Sequence, residues 1–311
     1  MERGPSRATE SRPLGDTGLV VGALTFGSAP LATIFWENDE ATAVDAVRAA
    51  HRAGIRLVDT APFYGLGEAE SRVGVALTDV SADEVIVATK VGRSIVDGSD
   101  GRSVEFDFSA DAVRAQIESS LERLGRDRVA IAHVHDPEDH LERALHECVP
   151  ALATLRAEGT VQAVSVGTNV CDTALRFLRE ADLDVIMLAG RLTLLDRSAL
   201  DDVVPQCEAR GVPLLAAAVF NSGVLADPEP GRWYDYSPAD PTTLERARVV
   251  HRVCADVGVS ARAAAMAFPL RFPAVASVVV GMASASEVED NVAAFETTIP
   301  DELWERLEEA S

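Results

Sequence analysis

Apolar residues along the chain fall into two alternating rhythms. Short runs of five to seven mostly apolar residues recur at GALTF (22–26), IRLVD (55–59), EVIVATK (84–90), VAIAHVH (129–135), VQAVSVG (161–167), LDVIMLA (183–189), VPLLAAA (212–218) and VASVVVG (275–281). Between them lie longer stretches with apolar residues at i, i+3 and i+4, among them 40–54, 109–125, 141–159, 198–211 and 242–258, several closing on glycine. The short runs predict strands without a polar face, and the longer ones predict amphipathic helices ending at a C′ glycine. Strands apolar on both sides belong to a parallel sheet covered by helices, and eight such units predict an α/β fold of the closed (β/α)₈ barrel type. An open dinucleotide-binding sheet would need G-x-G-x-x-G directly after an early strand, and none of these runs is followed by it. The organisation expected is a frayed tail over residues 1–12 and one barrel domain over 13–311. Two long connections, 92–108 after the third run and 226–241 after the seventh, are expected as loops at the barrel face where such folds carry their sites.

Composition narrows the choice of partner. The 311 residues carry a formal charge of −22, which repels nucleic acid and anionic membrane surfaces and leaves a small molecule as the expected ligand. No stretch approaches the ~18 apolar residues of a membrane span and no secretory leader precedes residue 12, so a cytoplasmic protein is expected. Cys148, Cys171, Cys207 and Cys254 are widely spaced and read as separate buried thiols, not as a disulfide frame or zinc site. The chain carries no signal of oligomeric state. Most telling is a single lysine, Lys90, against 27 arginines. It stands at a predicted strand end, where a compact ammonium does what a broad guanidinium cannot.

If the eight strands register as expected, polar residues at their C-terminal ends share one mouth. Asp59 ends the second strand, Lys90 the third and His135 the fourth, Thr168 and Asn169 follow the fifth, and Tyr64 lies in the loop after the second. A phenol of pKa near 10 works poorly as an acid–base group at neutral pH unless an adjacent cation stabilises its phenolate. The division of labour follows: Lys90 beside Tyr64, Asp59 holding Lys90, and His135 orienting a substrate oxygen. His133, two residues before His135, is expected on the opposite phase, between barrel and helices, so that the two imidazoles share no metal; no metal is expected anywhere.

These residues sit in motifs that resemble the aldo-keto reductases, and the chain looks like the bacterial aldose 1-dehydrogenase branch that includes L-fucose and L-galactose dehydrogenases. The matching segments are 13–31, DTAPFYG within 54–74, ATKVGR (88–93), HVHDPEDH (133–140), 155–169, LAGRLTLLD (188–196), FNSGVLA (220–226) and 278–291. The resemblance implies nicotinamide-dependent hydride transfer with Asp59, Tyr64, Lys90 and His135 as catalytic residues, converting a cyclic sugar to a lactone or reducing a carbonyl. It implies that Thr168 and Asn169 lie at the nicotinamide, with Asn169 gripping the carboxamide, that Asn221, Ser222, Gly223 and Leu225 follow the pyrophosphate, and that 281–291 holds the adenosine end through Gly281, Ser284, Glu287 and Asn291. Gly281 permits close backbone approach, and Ser284 and Ser286 are N-cap candidates for a helix whose free N–H groups suit phosphate. Between 281 and 291 there is no Lys or Arg, but Glu287, Glu289 and Asp290; carboxylates accept hydrogen bonds from the ribose hydroxyls of NAD and repel the 2′-phosphate of NADP, so NAD is the expected cofactor, with NADP second.

Trp36, Arg93 and Trp233 are the expected substrate contacts, with Tyr234 and Tyr236 as further aromatics of the long loop. The family's usual aromatic at the end of the seventh strand is missing, leaving only Phe220 nearby, and Leu192 stands where this branch commonly has tyrosine. A more apolar site would suit another small aldehyde or alcohol, such as a pyridoxal-like substrate. A reading from a different class is a non-catalytic dinucleotide-binding subunit, against which the intact set of four proton-transfer residues speaks.

Overall fold

The eight apolar runs become eight parallel strands because each is short, mostly apolar on both faces and followed by a helical segment that covers it. The structure is a computed structural model that describes residues 7–33, 38–98, 101–235 and 237–310. The strands are β1 (Leu24–Gly27), β2 (Leu57–Asp59), β3 (Ile86–Val91), β4 (Val129–His135), β5 (Val161–Thr168), β6 (Val185–Ala189), β7 (Leu214–Ala217) and β8 (Val275–Gly281). They close in sequence order into one barrel, with β8 pairing β1 through Val278↔Leu24 and Gly281↔Gly27. Register sets the neighbours of the mouth: Gly27 stands beside Asp59, Lys90 beside His133, and His135 beside Gly167.

Ten α-helices accompany them: α1 (Glu40–Arg52), α2 (Glu68–Ala76), α3 (Ala110–Leu124), α4 (Val149–Glu158), α5 (Cys171–Glu180), α6 (Val203–Arg210), α7 (Pro241–Asp256), α8 (Ala261–Ala267), α9 (Ala285–Phe295) and α10 (Asp301–Glu309), beside the single turn Leu141–Arg143. Asp39, Ser109, Asp240, Ser260 and Ser284 each accept a backbone N–H of the first turn of the helix they precede, which satisfies donors the helix itself leaves open. Gly125 closes α3 in the left-handed conformation at φ +62°. The helix expected over 141–159 is broken in character: a π-helical segment, Ala144–Cys148, precedes α4. Pro150 explains it, since it brings no N–H for the carbonyl four residues back.

Two expectations are corrected and one is refined. The tail does not extend to residue 12: Arg7–Thr9 form a 3₁₀ turn with Ala8 fully buried, and Arg12–Pro13 pair antiparallel with Val20–Val21. That small hairpin delivers Leu14, Leu19 and Val21 into the same apolar cluster as Leu57, Ile131, Val185 and Leu215, plugging the barrel from its N-terminal end. The connection 92–108 is not a plain loop but a β-hairpin pairing Arg93–Gly98 with Gly101–Phe106. It starts at Gly92 because a Cβ there would lie 2.0 Å from the Phe108 ring. The 226–241 connection keeps its loop character but contains a two-residue ribbon, Trp233–Tyr234 against Ser237–Pro238. No single helix among the described residues is long and apolar enough to cross a membrane.

Candidate active site

The mouth is built from the ends of β2, β3 and β4. Lys90 Nζ lies 2.6 Å and 2.7 Å from the two carboxylate oxygens of Asp59 and 2.9 Å from the Thr60 carbonyl. Lys90 is 3% exposed and Asp59 4%. Burial pushes the Asp59 carboxyl up, and the Lys90 ammonium works against that shift. Beyond the pair, Lys90 Nζ stands 5.2 Å from the centroid of the Tyr64 ring. Tyr64 meets His135 edge to face at 6.2 Å between centroids, and Phe63 closes the group at 6.2 Å from the same imidazole. Burial, then the cations Lys90 and Arg93 and the neighbouring His133, hold His135 well below the ordinary imidazole pKa, so that it is a neutral hydrogen-bonding group. The structure therefore brings all four sequence-expected catalytic residues together.

His133 is a correction. Residues two apart on a strand point to the same side, and His133 indeed faces the barrel interior with His135, fully buried, its Nδ1 2.8 Å from Ser165 Oγ. The opposite-phase argument against a shared metal falls with it; among the described residues no three His, Cys, Asp or Glu side chains gather to hold one.

Arg93 enters the mouth from the hairpin. Its guanidinium lies between the rings of Phe63 and Phe106, at 4.4 Å and 4.9 Å from their centroids, and binds Asp136, which follows His135 at φ +43°. Burial raises the Asp136 carboxyl, offset by Arg93. Trp233 is 53% exposed and its residue bridges to Gly223, so it rides the rim beside the loop after β7. Trp36 and Tyr236 lie outside the described residues. Leu192 is buried and Phe220 half-buried against the core.

The residues expected to hold a dinucleotide line the other side. Thr168 is buried, its hydroxyl bound to Glu138 and accepting the Val170 N–H. Asn169 approaches Asp235 at 3.5 Å. After β7 the chain turns through Ala218, Asn221 and Ser222 at φ of 53°, 48° and 57°, a left-handed run that side chains ordinarily avoid and that clusters at ligand sites. Asn221 Oδ1 and Asn291 Oδ1 are buried without a hydrogen-bond partner among the described residues. Two orphaned acceptors on the two segments assigned to the cofactor fit a dinucleotide with amide and ribose donors. Leu225 does not join them: its side chain is fully buried, its N–H is bound to Phe220 and its carbonyl accepts from His251. Gly281 is exposed at the end of β8 and packs so closely on Pro30 that a Cβ would approach it to 2.9 Å. Ser284 caps α9 through the Glu287 N–H, while the Glu287 carboxylate accepts from Ala283 N at 2.8 Å. Glu287 thus serves the helix start, within the segment expected to hold the adenosine end of a cofactor.

Sequence reasoning missed Arg191. From the end of β6 its guanidinium binds the Asn169 carbonyl at 2.6 Å, Asp196 at 3.2 Å and Asp235 at 2.8 Å, tying the β5 end to the long loop. Its place directly after a strand-end glycine was the available signal. The apolar wall of Phe106, Phe108 and His140, whose rings lie 5.1 to 6.2 Å apart, was hidden by reading the hairpin as a loop.

Residues 18–311 match the family model described as the aldo/keto reductase family. Among curated proteins the chain is similar to a D-threo-aldose 1-dehydrogenase of a Pseudomonas species, with 40% identity covering 94% of this chain and 95% of that one. It is similar also to a pyridoxal 4-dehydrogenase of Microbacterium luteolum, at 35% identity and 97% of each chain. Among solved structures it shares the fold of an aldo-keto reductase from Bacillus halodurans, with a TM-score of 0.82 over 97% of this chain and 96% of that one at 24% identity.

Proposed function

The chain belongs to the aldo/keto reductase family of nicotinamide-dependent oxidoreductases, and from that premise we propose that it oxidises a free aldose at C1 to the lactone, with NAD as the preferred acceptor. The observation that carries the reading is the buried Asp59–Lys90 pair set under the Tyr64 ring, in a chain 40% identical to an aldose 1-dehydrogenase along nearly its whole length.

A bound nicotinamide supplies the site that accepts or returns the hydride. Every other part belongs to the chain. Tyr64 takes the proton of the anomeric hydroxyl during oxidation and gives one to the carbonyl oxygen during reduction. The Lys90 ammonium favours the phenolate electrostatically, and Asp59 keeps the ammonium charged and in place. His135 is neutral, so it orients the substrate oxygen by hydrogen bonding without adding charge. Arg93, flattened between Phe63 and Phe106, and the exposed face of Trp233 offer polar and stacking contacts to a sugar ring. Thr168, Asn169, Asn221, Ser222 and Gly223 are the residues to hold the nicotinamide and pyrophosphate, and Gly281, Ser284, Glu287 and Asn291 the adenosine end.

The preference for NAD is supported by the Glu287 carboxylate held at the α9 N-terminus, where a 2′-phosphate would meet like charge. Pyridoxal-type oxidation is the second reading, favoured by the pyridoxal 4-dehydrogenase relative and by buried Leu192 in place of a polar aromatic. The test is NADH or NADPH formation by the purified protein with L-fucose, L-galactose, D-arabinose and pyridoxal. Turnover of an aldose, faster with NAD, is expected. Oxidation of pyridoxal alone would replace the substrate assignment, and a kcat/KM with NADP equal to or above that with NAD would overturn the cofactor assignment.

A further inference from the structure

One buried base remains outside the four proton-transfer residues. His133 on β4 stands in register with Lys90 on β3, is 0% exposed, and directs Nδ1 to Ser165 Oγ at 2.8 Å. Its Nε2 has no hydrogen-bond partner among the described residues, yet lies 3.6 Å from Asp59 Oδ1. That separation is too long for a formed hydrogen bond, but charge still decides what faces the carboxylate across it. The groups acting on this ring are Asp59 from β2, Lys90 from β3, His135 from its own strand, and the uncharged Ser165 from β5. Burial and the Lys90 ammonium keep the ring neutral.

A neutral imidazole carries one hydrogen. Placed on Nδ1, it would leave a bare Nε2 lone pair against an anionic oxygen. Placed on Nε2, it turns a positive dipole end toward Asp59, and the Ser165 hydroxyl donates to Nδ1. The alternative use of that hydroxyl, toward the Val166 carbonyl at 3.2 Å, is the longer contact. We infer that His133 is a positioning residue of the proton-transfer group: as its Nε2–H tautomer it faces Asp59 Oδ1 and helps keep that carboxylate ionised and turned so that both oxygens grip Lys90. Buried below the pair, it acts through Asp59 and shuttles no proton to solvent. The inference rests on the reading of Asp59, Lys90 and Tyr64 given above.

Two measurements on the intact chain test it. In ¹⁵N NMR of histidine-labelled protein, His133 gives the pattern of a neutral ring protonated on Nε2 at neutral pH; an Nδ1–H pattern, or a ring that titrates as an ordinary imidazole, overturns the assignment. In the pH profile of kcat/KM, His133→Leu moves the acid limb upward by about one pH unit, a tenfold change in proton affinity, because ionised Asp59 loses a favourable dipole while KM for the sugar holds. His133→Gln, which restores an N–H toward the same oxygen, moves the limb back. A Leu variant that melts earlier but keeps the parent limb overturns the proposal. Should the Leu variant fail to fold, His133→Met, which keeps the volume and removes the N–H, is read in its place, and an unmoved limb there is equally fatal. The NMR arm needs no substrate: a parent protein silent toward every aldose would sink the aldose reading while the tautomer still decides this one.

Discussion

Replacing Lys90 separates the electrostatic account of the site from a merely structural one. In Lys90→Met the ammonium 5.2 Å from the Tyr64 ring centroid disappears. A unit charge at that distance from a developing phenolate is worth about 3 kcal/mol at an effective dielectric near 20. The expected consequence is a fall in kcat of about two orders of magnitude, with KM and NAD affinity near the parent values. Asp59 is left buried without its partner, and breaking such a pair costs roughly 3–5 kcal/mol unless the carboxyl takes up a proton. Burial already pushes Asp59 up, so protonation reduces that cost, and Asp59→Asn combined with Lys90→Met recovers thermal stability but no activity. Lys90→Arg preserves charge, yet the site is 3% exposed and holds the amine by both Asp59 oxygens and the Thr60 carbonyl, which a planar fork cannot reproduce. Steady-state kinetics and thermal melts of the three variants are the assay. If Lys90→Arg kept more than about a tenth of the parent kcat, a loss under ~1.4 kcal/mol, the claim that the position requires an amine would fail.

Tyr64→Phe is expected to abolish turnover while NAD still quenches intrinsic fluorescence as in the parent; a variant retaining most of its kcat would remove Tyr64 from the acid–base role. His133 and His135 both have imidazole pKa values held well below the ordinary one, so between those lowered values and about 6.5 the unfolded chain binds protons that the folded chain refuses. Stability should therefore be fully present above pH ~6.5 and fall on acidification by about 1.4 kcal/mol per pH unit for each ring, seen as a declining Tm; a flat Tm down to pH 5 would show that the rings titrate normally. Burial pushes the thiols of Cys207 and Cys254 up to about 12 and about 11, and Cys148 up as well, with only Cys171 half-exposed. One fast-reacting thiol of the four is expected with a thiol reagent on the native protein, and Cys171→Ser should remove it.

Strands and helices are legible because their burial is regular: the strands of the barrel are buried along most of their length and mostly apolar on both faces, so run length and flanking helical periodicity mark all eight. The meeting of Asp59, Tyr64, Lys90 and His135 is legible because each occupies the end of a strand or the loop directly after it, where barrel geometry forces convergence. What escaped depends on pairing that no local pattern records. The hairpin after β3 is half-buried on its first strand, where Ile95 and Val96 stand beside Asp97, and mostly exposed on its second, with Arg102, Ser103 and Glu105, so no apolar run marks it. Arg191 gains its role from Asp196 and Asp235, the second of which lies 44 residues away in sequence. His133 lies inside the barrel for another reason: side chains two apart on a strand share a face, so it follows His135 inward.

The closure of β8 on β1 has a bearing on biosynthesis. Asp59, Tyr64, Lys90 and His135 have all left the ribosome once the fourth strand is made, but Leu24 has no β8 neighbour until Val278 emerges, and Arg7 and Ala8 await the carboxylate of Glu296. Until Val278 is made, a nascent chain thus carries these four residues on an open sheet whose first strand has an unsatisfied edge, exposed to intermolecular pairing. Completion of the last strand is the event that hides that edge, and the segment that follows it directly is the one expected to hold the adenosine end of the cofactor. Closure of the sheet and delivery of that segment would then arrive together.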